Sequence, residues 1–222
     1  MATSEMSSRQ TYSLIKKAYN KAGRNPITTA STIRLIQPVA TGKTFYTFPI
    51  LQGDTAQTYA EASLLNRADA FTATHVGIFI GGLTPTGTAA TGGNYALYPY
   101  NSYPVETAIG NGEVLFNNSY LNIAINNVQY LQNFDTRRFN SAPIVQQGIA
   151  LAGVAAAPVA PAYTDSLFGD AGFVPLVPTL QFSGSAKVDI TLNLPQSLAV
   201  ALGEINIIFR GFLSLGASNL NK

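Results

Sequence analysis

AKVDITLNL, residues 186–194, decides the fold. Val188, Ile190, Leu192 and Leu194 share one side of an extended chain, and Lys187, Asp189, Thr191 and Asn193 share the other. A period of two with one dry and one wet face is the signature of an antiparallel sheet. YLNIAI at 120–125 repeats it with Leu121, Ile123 and Ile125. Working outward, further strand-like runs fall at Thr32–Gln37, Thr44–Leu51, Ala70–Ile80, Asn94–Tyr98, Val114–Phe116, Val128–Phe134, Phe173–Phe182 and Glu204–Leu215.

Turn and loop signals separate these runs: Gly81-Gly82, the stretch Thr84–Gly93, Asn117-Asn118, Asn140–Pro143 and the proline-bearing segment 153–178. Alternating strand and helix units are absent, which argues against Rossmann and TIM architectures. No fixed repeat marks a solenoid or propeller. The expected fold is all-β: an antiparallel β-sandwich of the jelly-roll kind, with a short N-terminal amphipathic basic helix. A pair of immunoglobulin-like domains is the competing architecture, but no linker divides the chain and it contains no Trp for such a core.

Residues 8–22, SRQTYSLIKKAYNKA, read as the helix. Tyr12, Ile15, Tyr19 and Ala22 follow one face, while Arg9, Lys16, Lys17 and Lys21 are expected on the other side. Gly23 suits the left-handed position after a helix, and Pro26 prevents continuation. The domain reading is therefore a basic arm over 1–30 and one sandwich over 31–222.

Charge divides the same way. Residues 1–44 hold seven of the thirteen basic side chains and one acid, Glu5; residues 45–222 hold six bases and ten acids. Charged residues make up 11% of the chain, less than half the usual ~25%. Surfaces built from Asn, Gln, Ser, Thr and Tyr approach one another without repulsion, which suits contacts between copies. There is no Cys, so disulfides and thiolate metal sites are excluded. No secretory signal is evident and no run is long and apolar enough to span a bilayer.

Signals for chemistry are few. ATGKT at 40–44 lacks the upstream glycine of a phosphate-binding loop, with Gln37 in its place, so Lys43 reads as a solvated turn residue. His75 is the single histidine, inside a strand-like run, and reads as a hydrogen-bonded residue in or beside the core. The acids show no liganding spacing and no pair stands out as a glycosidase couple. The expectation is no enzyme, no cofactor, no metal and no small-molecule substrate. Arg137-Arg138, flanked by Phe134 and Phe139, reads as an interface pair or as charges blocking an edge strand. NYALYPYNSYP at 94–104 places Tyr95, Tyr98, Tyr100 and Tyr103 in one Tyr/Pro-rich stretch, suited to a subunit interface or to stacking on sugars.

The basic segment (Arg9, Lys16, Lys17, Lys21, Arg24, Arg34, Lys43), the Thr/Asn/Gly/Pro-rich body and the terminal strands AKVDITLNL and GEINIIFRGFLSLG together resemble the jelly-roll coat proteins of viruses and bacteriophages. The resemblance implies a capsid subunit, or an auxiliary or minor capsid component, made in the host cytoplasm and located in the virion. It implies contacts with copies of itself and with other capsid proteins. Arg9, Lys16, Lys17, Lys21 and Arg24 would meet a partner, and Tyr12, Ile15 and Tyr19 would anchor the arm. The arm is less basic than those of RNA-packaging coats, so nucleic acid, an inner membrane and neighbouring protein all stand as its partners. The alternative function is a carbohydrate- or receptor-binding β-sandwich of a fibre or adhesin. A hydrolase on a β-sandwich is the third.

Overall fold

The computed structural model describes residues 8–23, 25–53, 62–83, 96–98, 115, 118–139, 172–198 and 203–218. Helix α1 (Ser8–Lys21) comes first. The strands among these residues are β1 (Thr28–Pro38), β2 (Phe45–Thr47), β3 (Ala70–Leu83), β4 (Ala96–Tyr98), β5 (Tyr120–Ile125), β6 (Val128–Asp135), β7 (Phe173–Ser183), β8 (Val188–Asn193) and β9 (Glu204–Ser214). The expected all-β antiparallel sandwich with one N-terminal helix is what forms. The first strand begins at Thr28, slightly before the expected body.

The pairing is nested about one turn. Asn126 and Asn127 adopt φ of 50° and 63°, the left-handed pair that a two-residue hairpin turn requires and that Asn tolerates. They join β5 to β6. Moving outward from this hairpin, β3 pairs with β7, β2 with β8 and β1 with β9, all antiparallel. Among the described residues these pairs are the steps of a two-stranded ribbon closed at Asn126-Asn127. Hydrogen bonds hold its two sides together at two of the places where it passes between sheets. At one corner Val39 N–H donates to Gly203 O at 2.9 Å and Leu194 N–H to Thr44 O at 2.8 Å. At another, Gly184 N–H donates to Asp69 O at 2.8 Å.

Lateral contacts assemble the ribbon into two sheets. In the first, the order is β1-β9-β3, with the far side of β3 shared between β7 and β4. In the second it is β2-β8-β5-β6. Alternation then sends one set of side chains inward. Ile33, Leu35, Phe71, Ile78, Phe182, Ile207 and Phe209 from the first sheet meet Tyr46, Leu121, Ile123, Ile190 and Leu192 from the second in one core. Phe182 and Phe209 pack edge to face at 5.1 Å, an arrangement aromatic pairs prefer. In β9, Asn206 and Ile208 on the opposite face are also buried, which explains the nearly unbroken apolar run INIIF.

Some local expectations are corrected. The Thr44–Leu51 run is a strand only over Phe45–Thr47. Phe48 N–H still donates to Ile190 O, but Pro49 has no N–H and ends the ladder. Leu115, in the expected strand Val114–Phe116, is helical and buried, since three apolar residues do not distinguish a strand from a helix. Around Thr74 the β3 register shifts against both neighbours.

The bulge brings backbone close at Gly211. A Cβ there would fall inside the van der Waals shell of the Thr72 carbonyl oxygen. Gly211→Ala is therefore expected to cost about 3 kcal/mol or more. Gly216 has φ of 65° with open space around it, so Gly216→Ala costs only about 1 kcal/mol. Urea unfolding midpoints of the two variants check the ranking.

Candidate functional site

Helix α1 does not hold itself together by local chemistry alone. Its first turn has no acid and carries Arg9, which opposes the helix dipole; only Lys21 in the last turn favours it. A fourteen-residue helix of this kind is marginal in water. Docking stabilises it. Tyr19 is 2% exposed and packs with Ala70 and Ala217, with Ile15 alongside. The Tyr12 ring lies 5.9 Å from Phe212 in a tilted pair. Gln181 Nε2 donates to the Tyr19 hydroxyl at 3.4 Å. Gly23, φ 69°, ends the helix as expected.

The surface under Tyr19 is built by the chain's C-terminal side. Ser218 N–H donates to Ala68 O at 3.0 Å, and Gly216 N–H to Asp69 Oδ1 at 2.8 Å. The hydroxyls of Ser183 and Ser185 both donate to Ser218 O. These bonds pin Ala217 beside Ala70, and two methyl groups leave room for a phenol ring. The expected anchors Tyr12, Ile15 and Tyr19 are thus brought together on the outer face of the first sheet. Arg9, Lys16, Lys17 and Lys21 remain exposed. Arg24 lies outside the described residues.

The other sequence candidates are scattered. Arg34 is half-buried in β1, where its backbone exchanges hydrogen bonds with Ser63. Lys43 is exposed in the turn after β1, its ammonium 4.7 Å from the Tyr46 ring centroid. Arg137 and Arg138 lie in a 3-10 turn, Thr136–Phe139, rather than in an edge strand. Thr136 is buried with its hydroxyl on Ser119 O, and Phe139 turns into the core, so the strand cannot continue. Arg137 N–H donates to Asp135 Oδ1, its guanidinium reaches Asn118 at 3.4 Å, and Arg138 lies 5.1 Å over the Phe134 ring. His75 is half-buried on the outer face, opposite Arg210, with Nδ1 2.9 Å from Thr74 Oγ1. Tyr98 is in β4; its side chain, and Tyr95, Tyr100 and Tyr103 entirely, lie outside the described residues.

One surface escaped the sequence reading. On the outer face of the second sheet, Phe45, Asn193, Tyr120 and Asp135 stand opposite one another across β2, β8, β5 and β6. Phe45 is 50% exposed, Tyr120 43% and Tyr130, in a β6 bulge, 54%. The signal was parity: Phe45 and Tyr120 occupy wet positions next to the buried Tyr46 and Leu121.

No family model, curated protein or solved structure matches this chain.

Tyr19→Ala is expected to release helix α1 without unfolding the sandwich. Limited trypsin digestion reads this: cleavage at Lys16, Lys17 and Lys21 should accelerate more than about tenfold, because the open helix becomes the main state. The β-rich circular dichroism of the body should persist. Converting Lys16, Lys17 and Lys21 to Gln should leave the melting temperature unchanged, since exposed charges contribute little.

Proposed function

We propose that the chain is a structural protein of a virion, a capsid subunit or an auxiliary or minor capsid component of a phage or other virus. The observation that carries this reading is the nested ribbon, β1·β9, β2·β8, β3·β7 and β5·β6, rolled into two sheets. That order supports a jelly roll, the double-sheet fold in which capsid domains recur. The low charge of the body supports tiling against copies and other capsid proteins, since many weak contacts sum under closed symmetry. On this reading the chain catalyses nothing and needs no cofactor. It is made in the host cytoplasm and resides in the virion.

The docked helix narrows the arm's role. Its apolar face is committed to Ala70, Ala217 and Phe212, leaving Arg9, Lys16, Lys17 and Lys21 outward. Insertion into a bilayer would require undocking Tyr19, whereas a polyanion meets the basic face as it stands. Nucleic acid is thus favoured over an inner membrane. Three of these four cations are lysines, point charges on flexible stems, suited to phosphates without sequence preference.

Electron microscopy and sedimentation of the purified chain test the main reading. Shells or regular oligomers are expected; a strict monomer at every concentration that also fails to join native particles overturns it. For the arm, single-stranded nucleic acid should bind with an affinity that falls steeply with salt. Converting Lys16, Lys17 and Lys21 to Gln should flatten the salt dependence by about 0.7 in slope for each phosphate no longer neutralised.

A further inference from the structure

Facing away from the core, the second sheet presents a nearly neutral surface set with aromatic rings. Phe45 and Tyr120 stand two strands apart, about 10 Å, with the Asn193 amide between them. The adjacent row is Thr47, Thr191 and Asn122. Tyr130 lies at the rim beside Gln129. The charges on this face are few among the described residues. Lys187 and Asp189 pair with each other at 2.9 Å, and Asp135 accepts the Arg137 N–H.

Half-exposed rings in a domain with a large apolar core are unsatisfied apolar surface. Their setting selects the partner. A polyanion finds no row of cations here, and a basic peptide finds mainly Asp135. An apolar protein face would leave Asn193, Thr191 and Asn122 desolvated without partners. A sugar ring meets both demands: its C–H face lies against the negative face of an aromatic ring, and its hydroxyls both donate and accept hydrogen bonds.

We infer that this face binds a neutral oligosaccharide, with Phe45 and Tyr120 stacking on two of its rings and Thr47, Thr191, Asn193 and the Asn122 amide N–H₂ exchanging hydrogen bonds with its hydroxyls. The Asn122 oxygen is already taken by Asn133 N–H at 2.7 Å, so that residue acts as a donor. The site is separate from the basic helix, which packs on the other sheet.

The test is an array of neutral glycans probed with the full chain, with a heparin hexasaccharide as the anionic control. The strongest array ligand is then titrated by calorimetry. Binding of neutral glycans is expected, insensitive to salt. Phe45→Ala and Tyr120→Ala should each weaken it about five- to tenfold, and the double variant should abolish it. Both side chains are half-exposed, so each variant should lose no more than a few degrees of melting temperature and stay folded at the assay temperature. The Lys16, Lys17 and Lys21 to Gln variant should bind glycan normally. Absence of any neutral ligand, or parent-like binding by the double variant, overturns the proposal. So does a double variant that loses self-association in sedimentation while glycan binding persists, which makes the face a contact between copies. None of these outcomes bears on whether the parent chain forms shells, so the two readings fail separately.

Discussion

The pairing of β1 with β9 is the contact on which the rest depends. It runs from Thr28 opposite Ser214 to Pro38 opposite Glu204, joining segments near the two ends of the chain. Closing so long a loop is entropically costly, and only the many local bonds that follow offset it. Because β9 also lies along β3, the same strand locks the ribbon's outer turn onto its inner one. It further brings residues just before β1 and just after β9 to one place. Helix α1 therefore meets Ala217 as a direct result of that register. Without β1·β9 pairing the helix has no surface to dock on and, with Arg9 against its dipole, little reason to exist.

The nested order also allocates chemistry to surfaces. Each strand gives one face to the common core, so the two outer faces belong to different sheets and differ in character. The first is crossed by a helix whose apolar side is consumed in docking and whose cations point outward. Among the described residues nothing packs on the second, which carries paired or hydrogen-bonded charges and exposed rings. This division follows from which strands lie where, not from any local motif.

Legibility followed the range of the signal. The strands of the second sheet were readable because Val188, Ile190 and Leu192 alternate with Asp189 and Thr191, a property of adjacent residues. The helix was readable for the same reason; Tyr19 and Ile15 pack on its docked side, while Tyr12 is 37% exposed beside Phe212. Partner order was not readable, since nothing local in Thr28–Pro38 names Glu204–Ser214 as its neighbour. Of the two readings of Arg137-Arg138, the edge strand fails because Thr136 and Phe139 are held by Ser119 and the core, contacts from elsewhere. The Thr74 bulge likewise depends on Gly211, a distant residue that lets the Thr72 carbonyl approach. The open aromatic face was present as parity but lacked meaning until Phe45, Asn193 and Tyr120 were seen to stand in one row.

On the proposed capsid reading the chain must distinguish inside from outside, and the two outer faces of this sandwich differ in the way that reading needs. The basic and the neutral face lie on opposite sides of the packed sheets, so a partner seated flat on one does not lie against the other. If the helix side turns toward a polyanion, as proposed, the second sheet turns the other way. A neutral, hydroxyl-rich partner is then what the opposite surface is chemically equipped to meet. The constraint runs in both directions: each ligand fixes an orientation that leaves the other face free. Neither surface can be reassigned without changing strand order, because Tyr19 requires Ala70 and Ala217 on the first sheet, and the row through Phe45 and Tyr120 requires β8 between β2 and β5.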